Sequence, residues 1–315
     1  MILRDRRGVV AALLAIGALA GAPDALAADA VAATTAWWVW PLALFSVCFV
    51  LGIVAVPAGV GGGVLFVPIV SGFFPFHIDF VRGAGLLVAL ASALAAGPNL
   101  LRSGLADLRL ALPLALLASA SSIAGAMMGL ALPANVVQTA LGVTILAIVA
   151  LMALARKSEL PEVTAPDPLS AALRIHGVFR DAASGRDHGW KVHRTPQGLV
   201  LFTLIGVLAG MFGLGAGWAN VPALNLVMGA PLKVSAGTSS FILSLVDSAA
   251  AWVYLNKGAV LAAIAVPSVI GMMLGARIGA HLLGVLKAST VRRMVLLLLL
   301  FSGLRSLLKG LAIWN

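Results

Sequence analysis

The sequence predicts an all-α polytopic membrane protein made of two homologous repeats, each with a Gly-broken helix, and about 8 to 10 transmembrane segments in total. Three observations predict it. The first is composition: 61% of the 315 residues are hydrophobic, 10% are charged, and the mean hydropathy is +1.08. That leaves too little polar surface for a water-soluble domain. The second is the spacing of charge, since Ala30 to Phe76, Leu110 to Ala155 and Thr195 to Leu232 contain no Asp, Glu, Lys or Arg. The third is an internal register. Gly59-Val60-Gly61-Gly62-Gly63 with Pro68 recurs as Gly213-Leu214-Gly215-Ala216-Gly217 with Pro222, and 213 − 59 equals 222 − 68, both 154. At that offset Gly52 falls on Gly206, Gly83 on Gly237, Gly104 on Gly258, Pro113 on Pro267 and Gly125 on Gly279, without a gap. Such a register reads as a duplication, here of residues 37–155 (repeat 1) and 197–310 (repeat 2).

In chain order, Arg4, Arg6 and Arg7 precede an apolar run, and Ala25-Leu26-Ala27 supplies a small-residue step. Residues 1–27 therefore read as a bacterial signal peptide, the alternative being a short uncleaved helix. The first mature segment, a, runs from Trp37 to Pro57 and opens on Trp37, Trp38 and Trp40 as an interfacial anchor. The glycine run breaks it, and a shorter segment b, Val64 to Phe76, follows with Pro68 inside. Segment c spans Gly83 to Leu101, d Leu110 to Leu132 and e Ala134 to Ala155, with Pro133 at the d–e corner. The second copy repeats the plan: a′ Gly198 to Phe212, b′ Trp218 to Pro231, c′ Ser235 to Tyr254, d′ Ala259 to Leu286 and e′ Val291 to Leu308.

Residues 156–196 form a basic linker, expected in the cytoplasm, with Leu169 to Phe179 either an interfacial helix or a disordered connector. If b crosses the membrane, five crossings per copy make the repeats inverted; if b is re-entrant, they run parallel, and the signal peptide favours the inverted arrangement. Lys257, Arg305 and Lys309 fall on the side that the positive-inside rule disfavours. The net charge of +10 follows from the N-terminus and the linker, so it indicates membrane sorting and not nucleic acid. Cys48 stands alone, which excludes a disulfide framework or a thiol metal site, and no H-E-x-x-H, G-x-S-x-G or paired intramembrane carboxylates suggest catalysis. No metal, cofactor or catalytic residue is expected. The expected setting is the bacterial inner membrane, multi-pass, with the lipid bilayer and a small anionic substrate as partners.

The glycine runs have a direct physical use. Between two half-helices they leave N–H groups unpaired at the start of the following segment, and these donors, with the positive end of the helix dipole, attract an anion. The competing reading is close helix packing of the GxxxG kind. Gly-x-Gly-x-Gly with a Pro five residues on, Pro231-Leu232-Lys233-Val234-Ser235-Ala236-Gly237-Thr238-Ser239-Ser240 and Leu274-Gly275-Ala276-Arg277-Ile278-Gly279 resemble the sulfite exporter TauE/SafE family of membrane transporters. The resemblance covers Trp37 to Leu308 apart from the linker. It implies movement of small sulfur-containing or carboxylate anions such as sulfite, sulfoacetate or sulfolactate. The chain departs from the pattern where Gly83-Ala84-Gly85 stands opposite Gly237-Thr238-Ser239, so the hydroxyls are lacking in copy one, and its linker is longer than a compact member's.

Candidate substrate contacts are therefore Gly61, Gly62, Gly63, Gly215, Ala216, Gly217, Asn220, Gly237, Thr238 and Ser239. Charge and coupling candidates are few, because a charge in hydrocarbon costs roughly 2.5 to 3.5 kcal/mol. Asp247, the lone carboxylate within any expected span, reads as a proton relay or counter-ion, or as a structural pair with Arg277 or Lys233. Arg277 either binds a sulfonate or reaches to a headgroup. Arg82 and Lys233 precede c and c′ and either draw anions into vestibules or anchor the helix ends. A different class of function, a sensor or assembly component whose basic linker docks a partner, stays open at this point.

Overall fold

The computed structural model describes residues 37–58, 61–102, 105–154, 161, 163, 165–180, 187–282 and 288–312. Residues 1–27, Gly59 and Val60 lie outside them. Repeat 1 holds α1 (Val39–Ala58), α2 (Gly62–Phe73), α3 (Ile78–Arg102), α4 (Leu108–Ala131) and α5 (Ala134–Leu154). The linker holds a single turn, α6 (Pro168–Ala172), and two strands, β1 (His176–Arg180) and β2 (Asp187–Lys191). Repeat 2 holds α7 (Thr195–Phe212), α8 (Gly217–Pro222) with a π-helical turn Ala223–Val227, then α9 (Leu232–Asn256), α10 (Ala262–Leu282) and α11 (Ala288–Gly310). The chain is an all-α polytopic membrane protein, with that hairpin the one β element among the described residues. Six described helices are long and apolar enough to cross a membrane, and Val39–Ala55 and Gly62–Phe73 are shorter apolar segments.

Boundaries follow local chemistry. Asp107 caps α4 by accepting a hydrogen bond from the N–H of Leu110 at 2.8 Å, which starts d two residues early. Segment c begins at Ile78, with Asp79 in its first turn. The linker differs from both expectations for Leu169 to Phe179, which is neither an interfacial helix nor a connector without structure. β1 pairs antiparallel with β2, Val178 opposite Gly189. Phe179, Trp190, Ile175 and Val192 are buried in one cluster with Leu110, Leu114 and Phe202. The hairpin thus closes over the first turns of α4 and α7, and burial of its aromatic rings, not amphipathic helicity, decides its conformation. Asp167 fastens it: its carboxylate accepts from the hydroxyl of Thr195 at 2.8 Å and from the N–H groups of Thr195 and Ser170 at 3.3 Å each.

Helix directions can be read from the glycines, where one chain meets another's backbone. Gly271, Gly275 and Gly279 of α10 lie against Phe45, Phe49 and Ile53 of α1, so a and d′ run parallel. Gly206 and Gly210 of α7 lie against Ala118 and Ser122 of α4, so a′ and d also run parallel. The e helices do the opposite: Gly142 meets Leu307, and Gly310 meets Thr139. The c helices too are antiparallel, since Gly83 near the start of α3 meets Ala259 just past α9, while Gly237 near the start of α9 meets Leu105 just past α3. The main contacts of the d helices have counterparts when the two copies are exchanged: a on d′ and a′ on d, c on d′ and c′ on d.

Two of the three charges on the disfavoured side have structural employment. Lys309 donates to the carbonyl of Ser71 at 3.1 Å, and the Arg305 guanidinium lies 4.2 Å from the ring centroid of Phe73. Both cations therefore sit at the C-terminal end of α2, where the helix dipole is negative.

Candidate functional site

α1 and α7 are nearly full-length helices whose C-termini lie at opposite ends of the bundle, α1 beside the end of α10 and α7 beside the end of α4. Beyond these opposite ends, Gly61 of the first half and Gly217 of the second meet. A β-carbon built on Gly61 would lie 3.9 Å from the Cα of Gly217, and one built on Gly217 would lie 3.5 Å from the Cα of Gly61. Leu243 touches both positions, and Ala89 lies against both Gly63 and Gly215. Ala89 is next to the midpoint of α3 (78–102) and Leu243 next to the midpoint of α9 (232–256), so the meeting point is half-way through the bundle. α2 and the α8–π segment then lead away from it in opposite directions, each beginning with its N-terminus at the centre.

The second run needs glycine for its backbone. Gly213 (φ +68°) and Gly215 (φ +72°) occupy the left-handed region that a side chain disfavours. Gly213 presses on the carbonyl of Arg82, and a β-carbon on Gly215 would lie 2.9 Å from the β-carbon of Ala89 and 3.0 Å from Oδ2 of Asp247. The Asp247 carboxylate is thus set against the break. It is fully buried, and neither oxygen has a hydrogen-bond or ion-pair partner among the described residues. The structural pairing of Asp247 with Arg277 or Lys233 is therefore absent: both cations have exposed side chains, Lys233 at the first turn of α9 and Arg277 on the side of α10 opposite its glycine stripe. Asn220, in α8, is also fully buried with both amide atoms unpartnered, and the indole N–H of Trp218 is buried without an acceptor. Native proteins rarely leave such groups unpaired without a role for them. Here they cluster at one half-helix start.

The sequence candidates divide into three groups. Gly61, Gly62, Gly63, Gly215, Ala216, Gly217 and Asn220 are brought to the centre, and Ser239 joins them in direction, since 239, 243 and 247 are spaced i, i+4 on one face of α9. Gly237 and Thr238 are placed elsewhere. They pack on Leu105 to Asp107, and the Thr238 hydroxyl accepts the N–H of Asp107 at 3.1 Å. Nine residues of helix, about 13.5 Å, separate Thr238 from Asp247. The Thr238 hydroxyl is thus engaged with the c–d loop and stands apart from the glycine meeting point.

Arg82 also stands apart from the meeting point. It is neither a surface anchor nor an exposed anion trap but fully buried. Its guanidinium pairs with Asp79 and donates to the carbonyls of Met211 at 2.8 Å and Gly129 at 3.1 Å, capping the C-terminal turns of α7 and α4. Tyr254 lies beneath it, ring centroid 5.7 Å away, and donates its hydroxyl to the carbonyl of Gly210 at 3.0 Å. Sequence reasoning did not single out Tyr254, although it is the lone Tyr in a chain with twelve Phe and seven Trp, and a lone hydroxyl at a helix end is a usable signal.

The sulfite exporter TauE/SafE family model matches residues 44–306, through both glycine runs and both c helices. The chain belongs to that family. It is also 24% identical over 279 residues to the probable membrane transporter protein YunE of Bacillus subtilis (strain 168), an alignment covering 85% of this chain and 98% of that protein. No solved structure matches it significantly. The TauE/SafE chain is accordingly a multi-pass membrane transporter, as the earlier resemblance implied, and the geometry shows where its most unusual chemistry lies.

Proposed function

We propose that the protein is a secondary transporter that moves a small anion, of the sulfite, organosulfonate or related carboxylate class, across the bacterial inner membrane between two inverted repeats. The observation that carries this reading is the convergence of two half-helix N-termini at the middle of the bundle. The first-turn N–H groups of a helix have no intrahelical acceptor, and the dipoles of α2 and of the α8–π segment both direct their positive ends at the same point. Two such ends favour one anion there without a permanent positive charge that would hold it too tightly to release. Asn220 and Trp218 add neutral donors. The antiparallel running of c with c′ and of e with e′ supports inversion, because copies related by an axis along the membrane normal would place equivalent helices parallel.

Asp247 fits a coupling role. It lies against Gly215 where the anion would sit, so a charged carboxylate and a bound anion repel, whereas a protonated one tolerates it and donates a hydrogen bond. Movement of the anion is then linked to movement of a proton. The test is flux into proteoliposomes of purified protein, for sulfite, sulfoacetate, sulfolactate, sulfate and acetate, with and without an imposed pH gradient. Saturable flux of one or more of these above protein-free liposomes, driven by the gradient, is the expected outcome. Flux of none contradicts the reading.

A further inference from the structure

The two ends of the central c/c′ pair are closed by different chemistry. On the face away from the linker hairpin, Arg82 of α3 ties together four helices through Asp79, the carbonyls of Met211 and Gly129, and the ring of Tyr254, which itself holds Gly210. At the repeat offset of 154 the counterparts of Asp79, Arg82 and Tyr254 are Lys233, Ala236 and Leu100, so the linker-side end cannot build the same cluster. There the contact is Gly237 and Thr238 on the c–d loop.

The cluster also stands over the proposed site. Arg82 and Ala89 are seven residues apart on α3, as are Asp247 and Tyr254 on α9. Seven residues are two helical turns, so each pair shares a face and is separated by about 10 Å along the axis. Arg82 and Tyr254 are therefore the layer directly above the glycine meeting point. Outside that layer a cavity of about 570 Å³ is lined by His77, Asp79, Phe80, Leu130, Lys257 and Ala259. It shares Asp79 with the cluster, and it is where Lys257 is found, the one remaining charge on the disfavoured side.

We propose that this cavity is the outer vestibule in which the anion is first received, and that the Arg82–Asp79–Tyr254 cluster is the gate at its floor, closed in the present conformation. This rests on the transporter reading but adds which side is shut and what shuts it. Lys257 supplies the charge for a compact anion. Arg82 supplies reversibility, since its bonds are to one carboxylate and to carbonyls whose helices can part from it without breaking a backbone ladder. Opening the floor requires α7 and α4 to leave the guanidinium, and an anion approaching Arg82 offsets that loss by competing with Asp79 for it.

The test is thiol accessibility, which needs no transported substrate. Cys48 is the sole cysteine, so Cys48→Ala supplies a blank background. Ala250→Cys places a reporter on the face of α9 between Asp247 and Tyr254, and Ala126→Cys, buried in the same cluster as Tyr254, is the second reporter should the first disturb folding. A charged, membrane-impermeant thiol reagent is added to intact cells. In the parent both reporters react slowly. Asp79→Asn and Tyr254→Phe each accelerate labelling about tenfold, the factor expected from losing one buried hydrogen-bonded partner. Sulfoacetate added outside slows labelling of Leu130→Cys, at the vestibule wall, in a protein that keeps Lys257 and all three gate residues. Labelling of both buried reporters unchanged by both gate variants, in protein that remains monodisperse in detergent, overturns the gate. Leu130→Cys labelling indifferent to sulfoacetate, sulfolactate and acetate overturns the vestibule. Accelerated labelling in a protein that moves no anion upholds the gate and refutes the transport reading alone.

Discussion

The two glycine breaks occupy equivalent places in a near-symmetric bundle, yet they are not the same object. The first leads into α2, a regular twelve-residue helix that absorbs Pro68, with Lys309 and Arg305 at its far end. The second leads into α8, which stops being α-helical at Pro222 and continues as a π turn, with Gly213 and Gly215 left-handed before it. Proline lacks an N–H and crowds the preceding turn, so either a bend or a wider turn must follow; the copies take different solutions. The chemistry differs more. Asn220 and Asp247 correspond at the repeat offset to Phe66 and Ala93, so the polar groups of the break stand in copy two while copy one contributes backbone and apolar wall. Both halves place a glycine break at the centre, and the buried polar groups stand at one of them.

That asymmetry is open to direct attack, most strongly at the glycines themselves. Gly215→Ala forces a side chain into a left-handed backbone and against both Ala89 and Asp247, and should lower flux about 100-fold or more while the protein still inserts. Gly61→Ala meets nothing closer than 3.9 Å and should stay within about threefold of wild type. Equal losses in the same proteoliposome assay would restore symmetry between the breaks. Next in size is Asp247→Asn, which should keep anion binding but reduce gradient-driven accumulation to simple equilibration. Full wild-type pH dependence in that variant would assign Asp247 to structure. Asn220→Ala should raise the half-saturating anion concentration about tenfold, as loss of one hydrogen bond to a charged ligand does. Phe66→Ala at the equivalent place should instead act on stability.

Much of this was legible in the sequence, for identifiable reasons. Glycine and proline constrain the backbone itself, so an offset held from Gly52 to Gly279 exposes the duplication and both breaks without any knowledge of packing. Asp247 was legible because a charge in hydrocarbon always needs a reason. What stayed hidden depends on tertiary partners. Arg82 precedes an apolar run like any boundary cation, and only the arrival of the α4 and α7 C-termini buries it. Thr238 carries a free-looking hydroxyl until the c–d loop supplies the N–H of Asp107. The hairpin was hidden because His176 to Arg180 and Asp187 to Lys191 are short and polar, and their strand pairing is decided by burying Phe179 and Trp190 on the bundle.

The smallest effect belongs to the linker end. Partial burial raises the pKa of the Asp167 carboxyl, but hydrogen bonds from Thr195 and Ser170 outweigh it and leave it below the ordinary carboxylate value. A depressed value means that the carboxylate stabilises the fold above the unfolded pKa near 4 and loses this as pH falls through the folded one. At pH 7, Asp167→Asn should lower the thermal midpoint by about 2–4 °C, with no change in flux. The difference should shrink as the pH falls through that lowered folded-state value. A midpoint difference that persists undiminished there would place the stabilisation in packing and not in charge.

The central claim is that the two breaks meet and hold the anion between them, and it can be measured at the point of contact. Gly61→Cys with Gly217→Cys, in a Cys48→Ala background, places two thiols at positions where each β-carbon lies within 4 Å of the opposite Cα, inside the range a disulfide spans. Mild oxidation should join them within the membrane, and the transported anion should slow that joining in a saturable way, at the concentration that half-saturates flux. Failure to cross-link, or cross-linking at one rate whatever anion is present, would contradict the account.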